Sequence, residues 1–304
     1  MIEVTPNYYH KFKCMADKCT HNCCIGWEID IDEDTMQFYN SLDTQLGKRI
    51  RESIEGDVPH FILSDGDRCP FLKENGLCEI ICECGEDALC DICTLHPRFR
   101  NFYSSFAETG LGLCCEEAAR IILSEENKFS IEVPDDIDLS DEETELFGIR
   151  QRIFGILQDR DESIKNRFSR LAREYGLEFE YSIDKLCKLY LSLERLDESW
   201  TDELDRLQSF NFEGRIFDDE EFQIPFEQMA VYFVFRHLGD AVWDGDYATR
   251  VNFVLMSCYL IGALAEYYLS IGGVSFEKLT DLARMYSSEV EYSQENIDVL
   301  MGAG

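Results

Sequence analysis

The sequence predicts a mainly α fold, in which a cysteine-rich, metal-binding N-terminal region with short strands precedes an α-helical bundle. Three observations carry this. Twelve of the fourteen cysteines fall between Cys14 and Cys115 of the 304 residues. The residues after Glu145 show long stretches of helical periodicity. Apolar content of 45% and aromatic content of 12% are ample for a packed core.

The N-terminal region, 1–130, reads as short elements. "GWEIDID" places Trp27, Ile29 and Ile31 at the period of a half-buried strand, and "DEDTMQFYNSL" then suggests a short helix opened by Asp32 or Asp34. Glycine turns around Cys69 and Cys78 suggest a small hairpin, and "CEEAARIIL" a helix. A region so rich in turns commonly depends on metal cross-links. The run from Val133 to Glu145 holds seven acids and no base, and 131–147 is expected to be a solvated acidic linker.

The helical domain is expected over 148–304. Ile149, Ile153, Ile156 and Leu157 keep helical spacing in a segment that closes at Gly176, a residue suited to the left-handed position past a helix end. Ile183, Leu186, Leu189, Tyr190 and Leu193 repeat the pattern. "FEQMAVYFVFRHLGDAVWD" and "YATRVNFVLMSCYLIGALAEYYLSIGG" are apolar on nearly all sides and read as the central helices. Helices over 275–290 and 293–301 end the chain.

Sixty-one acids against 28 bases give a formal charge of −33, which argues against a nucleic-acid partner because phosphate contacts need clustered Lys and Arg. The longest uncharged apolar run, Val251 to Ala265, is shorter than the roughly 20 residues a membrane span needs, so no membrane insertion is expected. The N-terminus has no apolar h-region, and a cytoplasmic location is expected. Thiols remain reduced there, and cysteines at short spacing then point to metal before disulfides.

The spacing is Cys14-x4-Cys19-x3-Cys23-Cys24, then Cys69, Cys78, Cys82, Cys84, Cys90, Cys93, Cys114 and Cys115. Four thiolates close a tetrahedral zinc site or hold a cubane iron–sulfur cluster, and spacing alone leaves the two open. "CDIC", Cys90 to Cys93, lacks the strand–motif–helix setting of a redox dithiol. Cys187 and Cys258 sit among apolar residues as core cysteines.

The motifs "CIGWEIDID", "CPFL", "GLC", "HPRF" and "CCEEAARIIL" stand in an order that resembles the flagellin lysine-N-methylase family. The likeness continues through "YFVFRHLGDAVWDGDYATRV" to "EYSQENIDVLM". The resemblance implies Cys14, Cys19, Cys23, Cys24, Cys69, Cys78, Cys93 and Cys114 as the shared metal thiols, with Cys82, Cys84, Cys90 and Cys115 as extras. It also implies methyl transfer from S-adenosylmethionine to flagellin lysines and favours a 4Fe–4S cluster over zinc.

The residues themselves show no familiar methyltransferase signature. "GLGLC" lacks the third glycine and the βαβ setting of a dinucleotide-type fold, and no C-x3-C-x2-C run is present. Amine methylation needs a deprotonated lysine, which a tyrosine or carboxylate could position. Tyr232, Arg236, Asp240 and Asp244 recur every fourth residue, as one stripe of a helix would. Tyr232, Asp240 and Asp244 are the catalytic candidates, and Arg236, with His96 and Arg98 just after Cys93, the cofactor-binding ones. The competing readings are a helix-packing ion-pair network that reaches Arg250, and Arg98 paired with a local acid. At the level of function the alternative is a non-catalytic zinc or iron–sulfur protein whose helical part is an interaction module; a cluster-bearing electron carrier is a third reading.

Overall fold

A computed structural model describes residues 1–134 and 137–302. Strand β1 (Ile2–Val4) opens the chain. Two compact units follow from the packing: residues 13–98 form one, and residues 1–12 with 99–304 form the other.

In the 13–98 unit, helices α1 (Glu33–Ser41) and α2 (Gln45–Glu52) lead into an antiparallel pair, β2 (Ile54–Glu55) and β3 (His60–Phe61). Helix α3 (Glu79–Cys84) and α4 (Asp91–Leu95) complete it. Asp32 does cap α1, accepting the Thr35 N–H at 2.8 Å, and its other oxygen accepts the Asp91 N–H at 2.9 Å. One carboxylate thereby ties the starts of two helices together. The strand expected over Gly26–Asp32 is reduced to isolated bridges, Ile25 to Arg68 and Asp30 to His60. Ile29 and Ile31 are nevertheless buried with Tyr39, Ile50, Phe61 and Phe71, so the alternation was a real burial signal without a continuous partner strand.

The larger unit begins with a three-stranded sheet of order β1-β5-β4, where β4 is Arg98–Phe102 and β5 is Phe106–Leu111, parallel to β1. Helices α5 (Glu116–Leu123), α6 (Asp141–Leu157), α7 (Ile164–Glu174), α8 (Ile183–Leu191) and α9 (Glu198–Leu207) follow. Then come α10 (Gln223–His237), α11 (Ala241–Asp244), α12 (Tyr247–Ser270), α13 (Phe276–Val290) and α14 (Gln294–Met301). Helices α10 and α12 are buried on nearly every face and pack on each other, as their all-round apolar sequence predicts. Among the described residues α12 alone is long and apolar enough to cross a membrane, and 83% of its most apolar window is buried by the fold.

The expected boundaries at 130 and 148 differ from this division. Cysteine density ends at Cys115, but packing changes sooner: β5 is wholly buried, and α5 packs on α10 and α13. The expected acidic linker is also partly structured, although positions 135 and 136 lie outside the described residues. Ser140 and Glu143 form a reciprocal capping box at the start of α6, and Glu143 accepts from the Ser104 N–H at 2.7 Å. The long helix expected to run to Gly176 is two helices, and the second ends in a Schellman motif with Gly176 at φ +70°.

Candidate functional site

Two clusters of reactive side chains stand out, one in each unit. In the 13–98 unit, Cys69 and Cys90 are buried, and Cys24, Cys78, Cys84 and Cys93 pack against the same core. Backbone pairing brings the first cysteine motif to the second, since the Cys69 N–H donates to the Cys24 carbonyl at 2.8 Å. The double cap by Asp32 sets α4, with Cys90 and Cys93 at its start, near α1. There the Tyr39 hydroxyl donates to the Ala88 carbonyl at 2.9 Å and lies 3.6 Å from the Cys90 sulfur.

The thiols perturb one another. A hydrogen bond from Cys24 lowers Cys23 to about 7 against the opposing effect of burial. Cys24 is pushed well up by that shared bond, by burial, and by Cys69 and Cys93. Cys90 and Cys93 repeat the arrangement: the bond between them lowers Cys90 and raises Cys93. Burial lifts Cys69 to about 11, with Cys78 and Cys90 adding to it, and burial likewise raises Cys78. Six sulfurs thus crowd one region where each additional thiolate is opposed by the others.

A soft, positively charged metal centre would relieve that repulsion, and the donor set fits one in kind. Among the described residues, no group of three or more His, Cys, Asp or Glu already stands in a metal-ligating arrangement. Cys14 and Cys19 make local contacts instead: the Ala16 N–H reaches the Cys14 sulfur at 3.4 Å, and the Cys19 thiol donates to the His21 carbonyl at 3.2 Å. Cys90, which the sequence reading set aside as an extra, is 1% exposed and central to the cluster. His96 is lowered to about 4 by burial and by neighbouring Arg98, and Arg98 donates to the Thr94 carbonyl at 3.2 Å.

Cys114 belongs to the larger unit and to the second cluster. Tyr232 and Arg236 lie one turn apart on α10, and the Arg236 Nη1 donates to the Tyr232 hydroxyl at 2.8 Å. That hydroxyl also accepts the Leu113 N–H at 3.2 Å and donates to Glu291, whose Oε1 and Oε2 are 3.1 and 2.9 Å away. His237 Nε2 lies 2.6 Å from Glu291 Oε1, and Arg236 Nε lies 3.3 Å from the same oxygen. The guanidinium carbon sits 5.0 Å from the Phe99 ring centre and 4.9 Å from that of Tyr292. An arginine so placed is held by charge and by two aromatic faces.

Burial opposes ionisation of Glu291, but Arg236 and His237 outweigh it and hold the carboxyl below its usual range. Burial lowers His237 and favours the neutral imidazole, outweighing the Glu291 bond, which favours the protonated form. Tyr232 is raised well above its ordinary value, first by burial, and burial lifts Cys114 to about 12. The cluster therefore pairs one buried cation with one buried anion and surrounds them with neutral proton donors and acceptors.

The predicted stripe of Tyr232, Arg236, Asp240 and Asp244 is not one helical face. Helix α10 ends at His237, and α11 begins only at Ala241. Asp240 is exposed in the intervening turn. Asp244 is paired with Arg250 at 3.0 Å, as the ion-pair reading had it. The partner that completes the Tyr232 cluster is Glu291, a position to which the sequence reading gave no role. Only its place in "EYSQENIDVLM" marked it.

The fold and its sites define a cysteine-rich, mainly helical protein with a thiol cluster and a separate buried tyrosine–arginine–glutamate network. Comparison with curated proteins finds relatives over part of the chain. The chain is 26% identical over 167 residues to "Lysine-N-methylase" from Salmonella typhimurium, a match that covers 51% of this chain and 42% of the relative. The Salmonella choleraesuis protein of the same name matches to the same extent. "Flagellar biosynthetic protein FliU" from Salmonella muenchen is 28% identical over 142 residues, or 43% of this chain and 84% of that protein. The chain is thus similar to proteins named lysine-N-methylase, in line with the family that its motifs resemble. The chain spans 42% of the length of the two lysine-N-methylases it matches. No family model matches the sequence. No solved structure matches it.

Proposed function

We propose that the protein takes part in methylation of protein lysines, with S-adenosylmethionine as methyl donor and flagellin as substrate, in the cytoplasm. The observation that carries this reading is the likeness to proteins named lysine-N-methylase. The name of the FliU relative supports a flagellar substrate. In the reaction the lysine Nζ, in its neutral form, forms a bond to the methyl carbon as the sulfur–carbon bond of the sulfonium breaks. S-adenosylhomocysteine leaves, and one proton passes from the new alkylammonium to solvent or to a base. The neutral imidazole of His237, hydrogen-bonded to Glu291, is a base of suitable kind, and Tyr232 is suited to orient an amine. Arg236 holds the Glu291 charge in place.

Cys23, Cys24, Cys69, Cys78, Cys90 and Cys93 would hold a thiophilic centre, an iron–sulfur cluster in preference to zinc. Such a centre supplies a rigid cross-link and, if iron–sulfur, a redox-active group. Metal uptake would order thiols that repel one another, so binding free energy becomes folding free energy.

The crowded thiols of the 13–98 unit favour a second reading, a metal-binding protein with a helical interaction module and no transfer activity. One experiment separates the two. Protein purified anaerobically and loaded with iron or zinc is incubated with S-adenosylmethionine and flagellin. Mass increments of one methyl group on flagellin lysines support the first reading; unchanged lysine masses with metal-loaded protein support the second.

A further inference from the structure

Strand β1 is a sheet edge that the chain begins to cover and then leaves open. On one side it pairs in parallel with β5, from Ile2 opposite Phe106 to Val4 opposite Glu108. On its other side no strand pairs with residues 2–5 among the described residues. The segment after α5 meets it only at Pro6, which bridges antiparallel to Ile131. There the Asn7 N–H donates to the Ser130 carbonyl at 3.0 Å, and the Asn7 side-chain amide donates to the Lys128 carbonyl at 3.3 Å. An antiparallel ladder so begun would next set Val4 opposite Val133. No such bridge forms among the described residues. Instead Glu132 and Pro134 stand across a slot from Ile2, Glu3, Val4 and Thr5, and the slot holds about 380 Å³.

An edge strand exposes a row of N–H and C=O groups, which folded proteins blunt with lysines, free charges or a covering segment. Residues 2–5 show none of these among the described residues. They include no Lys or Arg, and Ile2 is 47% exposed. Glu3, the one charge there, is held over the sheet by Thr109 of β5 and by Arg100 of β4 at 3.5 Å. Such an edge takes an extended peptide through main-chain hydrogen bonds, and the groove beside it selects the side chains. Charge sets that selection here. The wall at 130–134 carries Glu132, which is exposed, and no Lys or Arg. From Val133 to Glu145 the chain adds seven acids and no base. The whole protein, at −33, steers cationic partners toward itself.

We propose that the open side of β1 accepts an extended segment of a partner polypeptide as an added strand, with a lysine or arginine beside that strand meeting Glu132. The inference stands apart from the catalytic reading: an added strand anchors a partner whether or not the partner is methylated. All the residues it uses belong to the larger unit.

The test titrates the full chain, without S-adenosylmethionine, with three fluorescent peptides that share an alternating valine–threonine core. One has lysines at both ends and one has glutamates. The third has lysine ends and methylated core nitrogens, which removes its main-chain donors. The lysine-ended peptide should bind saturably, more weakly as salt is added, and about tenfold tighter than the glutamate-ended one. It should also slow hydrogen exchange at those amides of residues 2–5 that are open without it, and the N-methylated peptide should do neither. Glu132→Lys, at an exposed position, should narrow the difference between the lysine and glutamate peptides without changing the thermal melt. Equal binding of the N-methylated peptide, binding without protection of residues 2–5, or no saturable binding would overturn strand addition. Equal binding of the lysine- and glutamate-ended peptides would overturn the choice of a basic partner. A concentration-dependent dimer that protects residues 2–5 without peptide would make a second copy of the chain the occupant and overturn the partner assignment. Methyl transfer plays no part in this assay, so its failure and that of the catalytic reading are distinguishable.

Discussion

The Tyr232 hydroxyl donates to the carboxylate of Glu291 across 59 residues of sequence, with its oxygen 2.9 Å from Oε2, and both residues are buried. This contact joins α10 to the residue just after α13 and gathers Arg236 and His237 around one carboxylate, while the Leu113 amide donates to the Tyr232 hydroxyl. A buried anion with this many donors is strongly dependent on each of them.

Glu291→Gln should therefore destabilise the larger unit by about 3–5 kcal/mol, because Arg236, 10% exposed at its side chain, would be left without a counter-charge. Urea unfolding of the variant against wild type measures this. A loss under ~1 kcal/mol would show that the pair contributes little beyond its packing.

Acid should weaken the fold in a step assignable to His237. The imidazole in the folded chain protonates below its ordinary value because of burial. The unfolded imidazole takes its proton near pH 6.5. Between that value and the lower folded one, the unfolded chain binds more protons, so stability rises with pH and falls on acidification. Glu291, also depressed, adds a second loss as pH falls below about 4.3. His237→Asn should flatten the first step in a series of unfolding curves at stepped pH; an unchanged slope there would assign it elsewhere.

Cys90→Ser should lower the zinc or iron bound per chain, whereas Cys82→Ser, at an exposed thiol, should leave it near the wild-type value. Elemental analysis after anaerobic loading reads this directly. Removing metal with a chelator should make residues 13–98 more susceptible to protease than residues 99–302, because crowded thiols then lose their cross-link. Equal metal content in both variants would return Cys90 to a purely packing role.

Gly262→Ala should cost about 1–3 kcal/mol, since a Cβ there would stand 2.3 Å from the Phe217 ring. The same shift of Phe217 should disturb its ring contacts with Phe168, Phe179 and Phe226 and lower Tm. A thermal melt with unchanged Tm would mean that the ring has room to move aside.

Local chemistry was legible in the sequence wherever its cause was local. Asp32 and the serines at 140, 163, 275 and 293 cap the helices that follow them through contacts three residues away, and capping is readable at that range. The stripe through Tyr232 and Arg236 was legible for one turn. It failed at Asp240, where the chain leaves the helix before the spacing runs out.

The sequence by itself determined that this is a mainly helical protein with apolar central helices, a dense thiol region and a charge that disfavours polyanions. Periodicity, capping and composition act over a few residues, and one sequence contains them whole. Only the tertiary structure decided that Cys90 sits within the thiol cluster, that α5 packs with the helices that follow it, that Glu291 completes the Tyr232 site, and that Phe179, Phe212, Phe217 and Tyr259 pack ring against ring. Those are contacts between residues tens of positions apart, fixed by how apolar faces pack against one another, and no spacing along the chain encodes them.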